Sequence, residues 1–171
     1  MRAFLIFLLL SSAITNNASA STPGEVPVGG QLREARMFSV SGPPRMLSTF
    51  RGKPLIINVW ASWCGPCRNE MSSLQRLSQI DAKKQFVVIG ISTDDDAIAA
   101  TAYVVRSKLS FENFVDHELL LENMLGANTI PLTILVDASG RVLARIRGSQ
   151  DWTSAESIAL VEKTLQIKID R

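Results

Sequence analysis

The chain has 171 residues, 18 Lys and Arg against 16 Asp and Glu, a formal net charge of +2, 46% hydrophobic and 20% charged residues, two cysteines and one histidine. That is enough for one domain, since about 150 residues bury roughly 68–70% of their unfolded surface, and the composition excludes intrinsic disorder. A near-neutral charge gives no electrostatic footprint for nucleic acid, and two cysteines with one histidine supply neither a multi-disulfide scaffold nor a four-ligand structural zinc site.

Residues 1–20 open with Arg2, an apolar run from Ala3 to Leu10 and a polar stretch ending Ala18-Ser19-Ala20. The run is too short to cross about 30 Å of hydrocarbon, so it reads as a cleaved secretory signal, with an uncleaved membrane anchor as the alternative. Residues 21–30, STPGEVPVGG, read as a flexible lead because of their prolines and glycines. One domain is expected over residues 31–171. It begins with a small β-hairpin between Gln31 and Lys53, broken by Gly42-Pro43-Pro44 and Gly52.

Leu55 to Trp60 is apolar except for Asn58, the pattern of a central strand covered on both faces. Phe86 to Ile91 and Leu132 to Val136 repeat that character, while Arg141 to Arg147 alternates like a half-exposed edge strand after the turn Asp137-Ala138-Ser139-Gly140. Helices are expected over Cys64–Ala82, Asp96–Lys108, Glu118–Leu125 and Thr153–Ile167. Alternating strands and helices followed by a hairpin and a last helix make an α/β sandwich with helices on both faces. Ligands in such sheets meet the carboxyl ends of strands, and the stretch after Trp60 is one.

There the chain reads Ala61-Ser62-Trp63-Cys64-Gly65-Pro66-Cys67-Arg68. A thiol at a helix start is stabilised as thiolate by unpaired amides and a partial charge of about +0.5, which suits Cys64 to attack a disulfide and Cys67, one turn further in, to resolve the mixed disulfide. Covalent haem attachment needs histidine where Arg68 stands. A purely structural disulfide would close a very small loop and stabilise little. A copper(I) role for the two thiols remains open.

At about 100° per residue, Met71, Leu74, Leu77 and Ser78 share the Cys67 side of the helix, while Arg68, Asn69, Ser72 and Arg76 face solvent. Glu70 lies about 60° from Cys67, on the buried stripe. A carboxylate there should have a raised pKa and could accept the Cys67 proton.

WASWCGPC with Arg68 and Glu70 resembles the thioredoxin-like fold, more narrowly the TlpA and ResA group of exported thiol-disulfide oxidoreductases. LSTFRGKPLIINVWASWCGPCRNE, FVVIGIS and GANTIPLTILVDASGRV follow the family's order and spacing, from about Leu47 to Leu165. The resemblance implies a central mixed β-sheet with helices on both faces and an N-terminal β-hairpin extension. It implies a catalytic set of Cys64, Cys67 and Glu70, and a substrate surface of Trp63, Gly65, Pro66, Ile130 and Pro131. Pro131 takes the place of the family's cis-proline facing the cysteines, which exposes the Ile130 backbone to substrate, and Asn58 takes the place of the buried aspartate of thioredoxins proper. Two departures stand out: Ser72 replaces a helix-kinking proline, and Leu132 replaces a threonine, which makes the expected substrate groove more apolar.

The expected activity is reduction of disulfides in partner proteins, with apocytochrome c or copper and cytochrome oxidase assembly proteins as substrates. It is expected in the periplasm, either released or anchored with the domain facing it. A redox-active Cys64–Cys67 disulfide serves in place of any cofactor or metal. A membrane thiol donor restores the dithiol, and the chain is expected to act as a monomer without nucleic acid. The alternative is a copper(I) metallochaperone using the same cysteines. His117, in Val115-Asp116-His117-Glu118, reads as a solvated cap-region residue at a strand-to-helix junction, Asp94-Asp95-Asp96 as a helix cap, Trp60 as a wall of the motif and Trp152 as a packing anchor.

Overall fold

The computed structural model describes residues 22–80 and 83–170, and the expected signal segment 1–20 lies outside them. The continuous apolar run becomes β3 (Leu55–Trp60), buried at every position because it has neighbours on both sides and on both faces. It pairs in parallel with β4 (Val87–Ser92), itself parallel to β5 (Glu112–Val115), and antiparallel with β6 (Leu132–Val136). β7 (Val142–Arg147) closes one edge antiparallel to β6. At the other edge, β1 (Arg36–Ser39) pairs antiparallel with β5, and β2 (Arg45–Met46) pairs with β1. The order is β2-β1-β5-β4-β3-β6-β7, so the sheet is mixed as expected and the hairpin extends it.

Strand alternation splits the core into two layers. Ile56, Trp60, Val88 and Leu135 point to the face covered by α1 (Gly65–Ile80), α2 (Ala97–Arg106) and α4 (Ala155–Leu165). Ile57, Val59, Ile89 and Ile134 point to the other face, covered by α3 (Leu120–Leu125), the 3-10 turn Leu47–Phe50 and residues 26–32. Among the described residues only Ile130 packs against both layers. Local chemistry sets the helix starts: the Asp96 side chain accepts from the Ile98 amide at 2.8 Å, and the Ser154 hydroxyl accepts from the Ser157 amide at 3.1 Å. α3 starts two residues later than expected, because Leu119 adopts a left-handed conformation and the Asp116 carboxylate accepts from the amides of Leu120 and Glu122 at 3.1 and 2.7 Å.

The segment expected as a flexible lead is instead fastened to the domain from its glutamate onward. Val26 is buried, and its amide donates to the Met124 carbonyl at 2.9 Å. The Glu25 carboxylate pairs with Arg145 of β7 at 3.3 Å, both side chains nearly out of water, and the same guanidinium donates to the carbonyls of Val26 and Leu125. Proline and glycine content describes the local chain but not a charge partner about 120 residues away. The domain therefore takes in residues that composition assigns to a linker.

Candidate active site

β3 delivers the chain to the motif, and the turn that follows is tied to β4. The Thr93 amide donates to the Trp60 carbonyl at 2.9 Å. Asp94, expected in a helix cap, is buried here and accepts from the Ser62 amide at 2.9 Å, the Ser62 hydroxyl at 2.7 Å and the Ser92 hydroxyl at 2.7 Å. Of the three aspartates only Asp96 caps α2. Cys64 therefore occupies the cap position of α1 on a braced loop.

Cys64 and Cys67 form a disulfide with their Cα atoms 5.3 Å apart. The Cys67 amide, in the first turn of α1 where amides have no helical carbonyl partner, points at Cys64 Sγ, 3.2 Å away. Cys67 is wholly enclosed, whereas Cys64 keeps a 5% exposed edge. An incoming sulfur can reach only the first.

Glu70 falls on the buried stripe as its helical phase predicts, 1% exposed. Its Oε1 accepts from Asn58 Nδ2 at 2.7 Å; its Oε2 accepts from the Gln150 amide at 3.0 Å and from Trp152 Nε1 at 3.2 Å. Burial raises the carboxyl above its ordinary range, and the three donors partly oppose that. Trp152, expected only to pack, thus also donates to the acid. The clue available in sequence is general: a buried indole N–H seeks an acceptor.

Across from the disulfide, the loop before β6 brings the Ile130 carbonyl oxygen to 4.0 Å from Cys64 Sγ, and the Ile130–Pro131 bond is cis. Trp63 stands 68% exposed, Pro66 is exposed and Gly65 is half-buried, so these residues and Ile130 border one open face. A groove of about 590 Å³ runs from Trp63 past Thr93, Leu119 and Glu122 to Ile130. Leu132, expected to make this groove more apolar, is absent from it: it points into the α3 layer and is fully buried. His117 is exposed, as expected.

The raised Glu70 carboxyl has a thermodynamic signature. In the native state it keeps its proton at pH values where the unfolded chain has released it, so the native state binds more protons and stability falls as pH rises from about 4.5 through the native value. Glu122, raised by its own burial and by Asp116, adds a second fall in the same direction. In urea titrations across pH, Glu70→Gln is expected to lose its part of the decline and keep that of Glu122. Parallel wild-type and variant curves would show that Glu70 titrates normally.

The family model described as Redoxin matches residues 27–161. The thiol:disulfide interchange protein DsbE of Vibrio cholerae is 31% identical over 173 residues, covering 93% of this chain and 91% of that protein. The thiol-disulfide oxidoreductase ResA of Geobacillus thermodenitrificans is 27% identical, with 87% of each chain covered. A crystal structure of a secreted thiol-disulfide isomerase from Corynebacterium glutamicum superimposes with a TM-score of 0.68 at 26% identity, covering 80% of this chain and 84% of that one. The matched stretch carries all seven strands and both cysteines, and the chain belongs to the Redoxin family as a ResA/DsbE-like thiol-disulfide oxidoreductase with a thioredoxin-like fold.

Proposed function

We propose that this oxidoreductase works as an exported reductase of disulfides in partner proteins. The reading is supported above all by the unequal access of the two sulfurs, with the sheltered one a turn away from a buried acid. In the reduced protein the Cys64 thiolate attacks one sulfur of a substrate disulfide, forming a Cys64–substrate bond and releasing the other substrate sulfur as thiolate. Cys67 then gives its proton to the Glu70 carboxylate and attacks Cys64 Sγ. The second substrate thiolate leaves, and the Cys64–Cys67 bond re-forms. Two electrons have passed to the substrate, and a membrane thiol donor returns them.

Trp63, Gly65, Pro66, Ile130 and Pro131 form the surface that receives the substrate, with the Ile130 backbone available to an extended peptide. Apocytochrome c and copper or cytochrome oxidase assembly proteins are the substrates that suit an exported reductase of this family. Among the described residues no helix is long and apolar enough to cross a membrane. The protein acts in the periplasm as a monomer, either released or held by its N-terminal segment.

Equilibration with glutathione tests the direction of electron flow. The potential is expected nearer the roughly −270 mV of thioredoxin than the roughly −120 mV of DsbA, and insulin reduction should turn over. A value near the latter would make the protein an oxidant. Stoichiometric tight copper(I) binding without insulin turnover would make it a metal carrier.

A further inference from the structure

Asn58 is fully buried, and its Oδ1 has no hydrogen-bond partner among the described residues. Its Nδ2, by contrast, donates both to Glu70 Oε1 at 2.7 Å and to Thr133 Oγ1 at 3.0 Å. A buried carbonyl left without a donor is destabilising. That is an odd expense in the middle of β3, where the other five residues are all apolar.

The oxidised state explains what is missing. A disulfide carries no S–H, whereas its reduction by two electrons and two protons creates a donor at Cys67. Cys67 and Glu70 are three residues apart on α1 and so are neighbours on one helix face. Asn58 holds Glu70 directly, which puts its carboxamide against that same face. The new donor therefore arises in the layer that contains the orphaned acceptor.

We propose that Asn58 is a positioning residue for the second half-reaction: in the reduced protein its Oδ1 accepts from the Cys67 thiol while its Nδ2 holds Glu70, so one amide aligns the donor and acceptor of the proton. The proposal rests on the reading that Glu70 takes that proton. On transfer the S–H bond breaks and an O–H bond forms on Glu70, and the Cys67 sulfur keeps the electron pair with which it attacks Cys64 Sγ. The Asn58 carboxamide exchanges no electrons and no proton.

Stopped-flow measurement on a small aromatic disulfide separates the two half-reactions. Asn58→Ala is expected to leave attack by Cys64 unchanged and to slow release of the second thiol about tenfold, the loss of one hydrogen bond expressed as a rate. In the wild type, which requires no altered fold, the Asn58 side-chain amide NMR signals should shift between oxidised and reduced protein. In Cys67→Ala treated with the same reductant they should stay fixed. Unchanged resolution in Asn58→Ala, or amide signals indifferent to reduction, would overturn the proposal. If Glu70→Gln slows resolution and Asn58→Ala does not, only the role of Asn58 fails. If neither variant slows it, the proton-acceptor reading of Glu70 fails first.

Discussion

Cys64→Ser is expected to reduce insulin turnover to the uncatalysed background, and Cys67→Ser to stop turnover while accumulating a covalent adduct. The asymmetry follows from access. Only Cys64 has an exposed edge, and its sulfur accepts from the Cys67 amide in the first turn of α1. A serine hydroxyl cannot replace the thiolate as nucleophile, so the first variant has no reaction to begin. In the second variant attack still occurs, but nothing internal can displace the substrate from Cys64, and the mixed disulfide persists until an external thiol removes it. Intact mass should show the substrate on Cys64, released by dithiothreitol. An adduct on Cys67, or multiple turnovers by Cys67→Ser, would reverse the assignment. Both variants should keep a nearly unchanged urea midpoint, because the disulfide spans three positions in sequence and closes a loop too short to restrict the unfolded chain much.

Gly90→Ala is expected to be strongly destabilising. Gly90 lies in β4 opposite Asn58 on one side and Asn113 on the other. A Cβ atom there would fall 2.0 Å from Asn113 Oδ1 and 2.8 Å from Trp60 Nε1. Those two atoms are themselves hydrogen-bonded at 3.1 Å inside the core, and Asn113 Nδ2 also donates to the Phe111 carbonyl at 2.9 Å. The added methyl must therefore break a buried polar link as well as overpack a central strand. Overpacking costs about 1–3 kcal/mol, and an orphaned buried polar group about as much again, for a loss of roughly 3 kcal/mol or more. The urea midpoint should drop accordingly, and Asn113→Ala in the same chain should recover part of it, because the two substitutions share one space. Additive losses would place the clash elsewhere. Because Trp60 leads into the motif, thiol reactivity should suffer with stability.

Sequence and structure agree where one period governs a long run. β3 and β6 have the expected bounds because their apolar runs are unbroken, and Glu70 was legible because helical phase ties it to Cys67. β5 was legible only as a strand ending before His117, without bounds: it has four residues, and two of them, Glu112 and Asn113, are polar. Asn113 is tolerated inside because Trp60 Nε1 and the Phe111 carbonyl satisfy its amide, an arrangement that exists only after folding. The same limit hid the Trp152 bond to Glu70, made across 82 positions of sequence, and the pairing of Glu25 with Arg145. Leu132 was misplaced because its proximity to Pro131 suggested exposure, while strand alternation turned it inward.

Ile130 touches both core layers and presents its carbonyl oxygen to Cys64. The loop facing the disulfide is therefore clamped like a board between two jaws, one formed by the α1 side and the other by α3 and the docked N-terminal residues. Its grip is set by whichever jaw is looser. Loosening Val26 or Leu121, members of the layer that Ile130 packs against but not of the cysteine motif, is expected to free this loop, and substrate would then meet a surface that must be ordered again at each encounter.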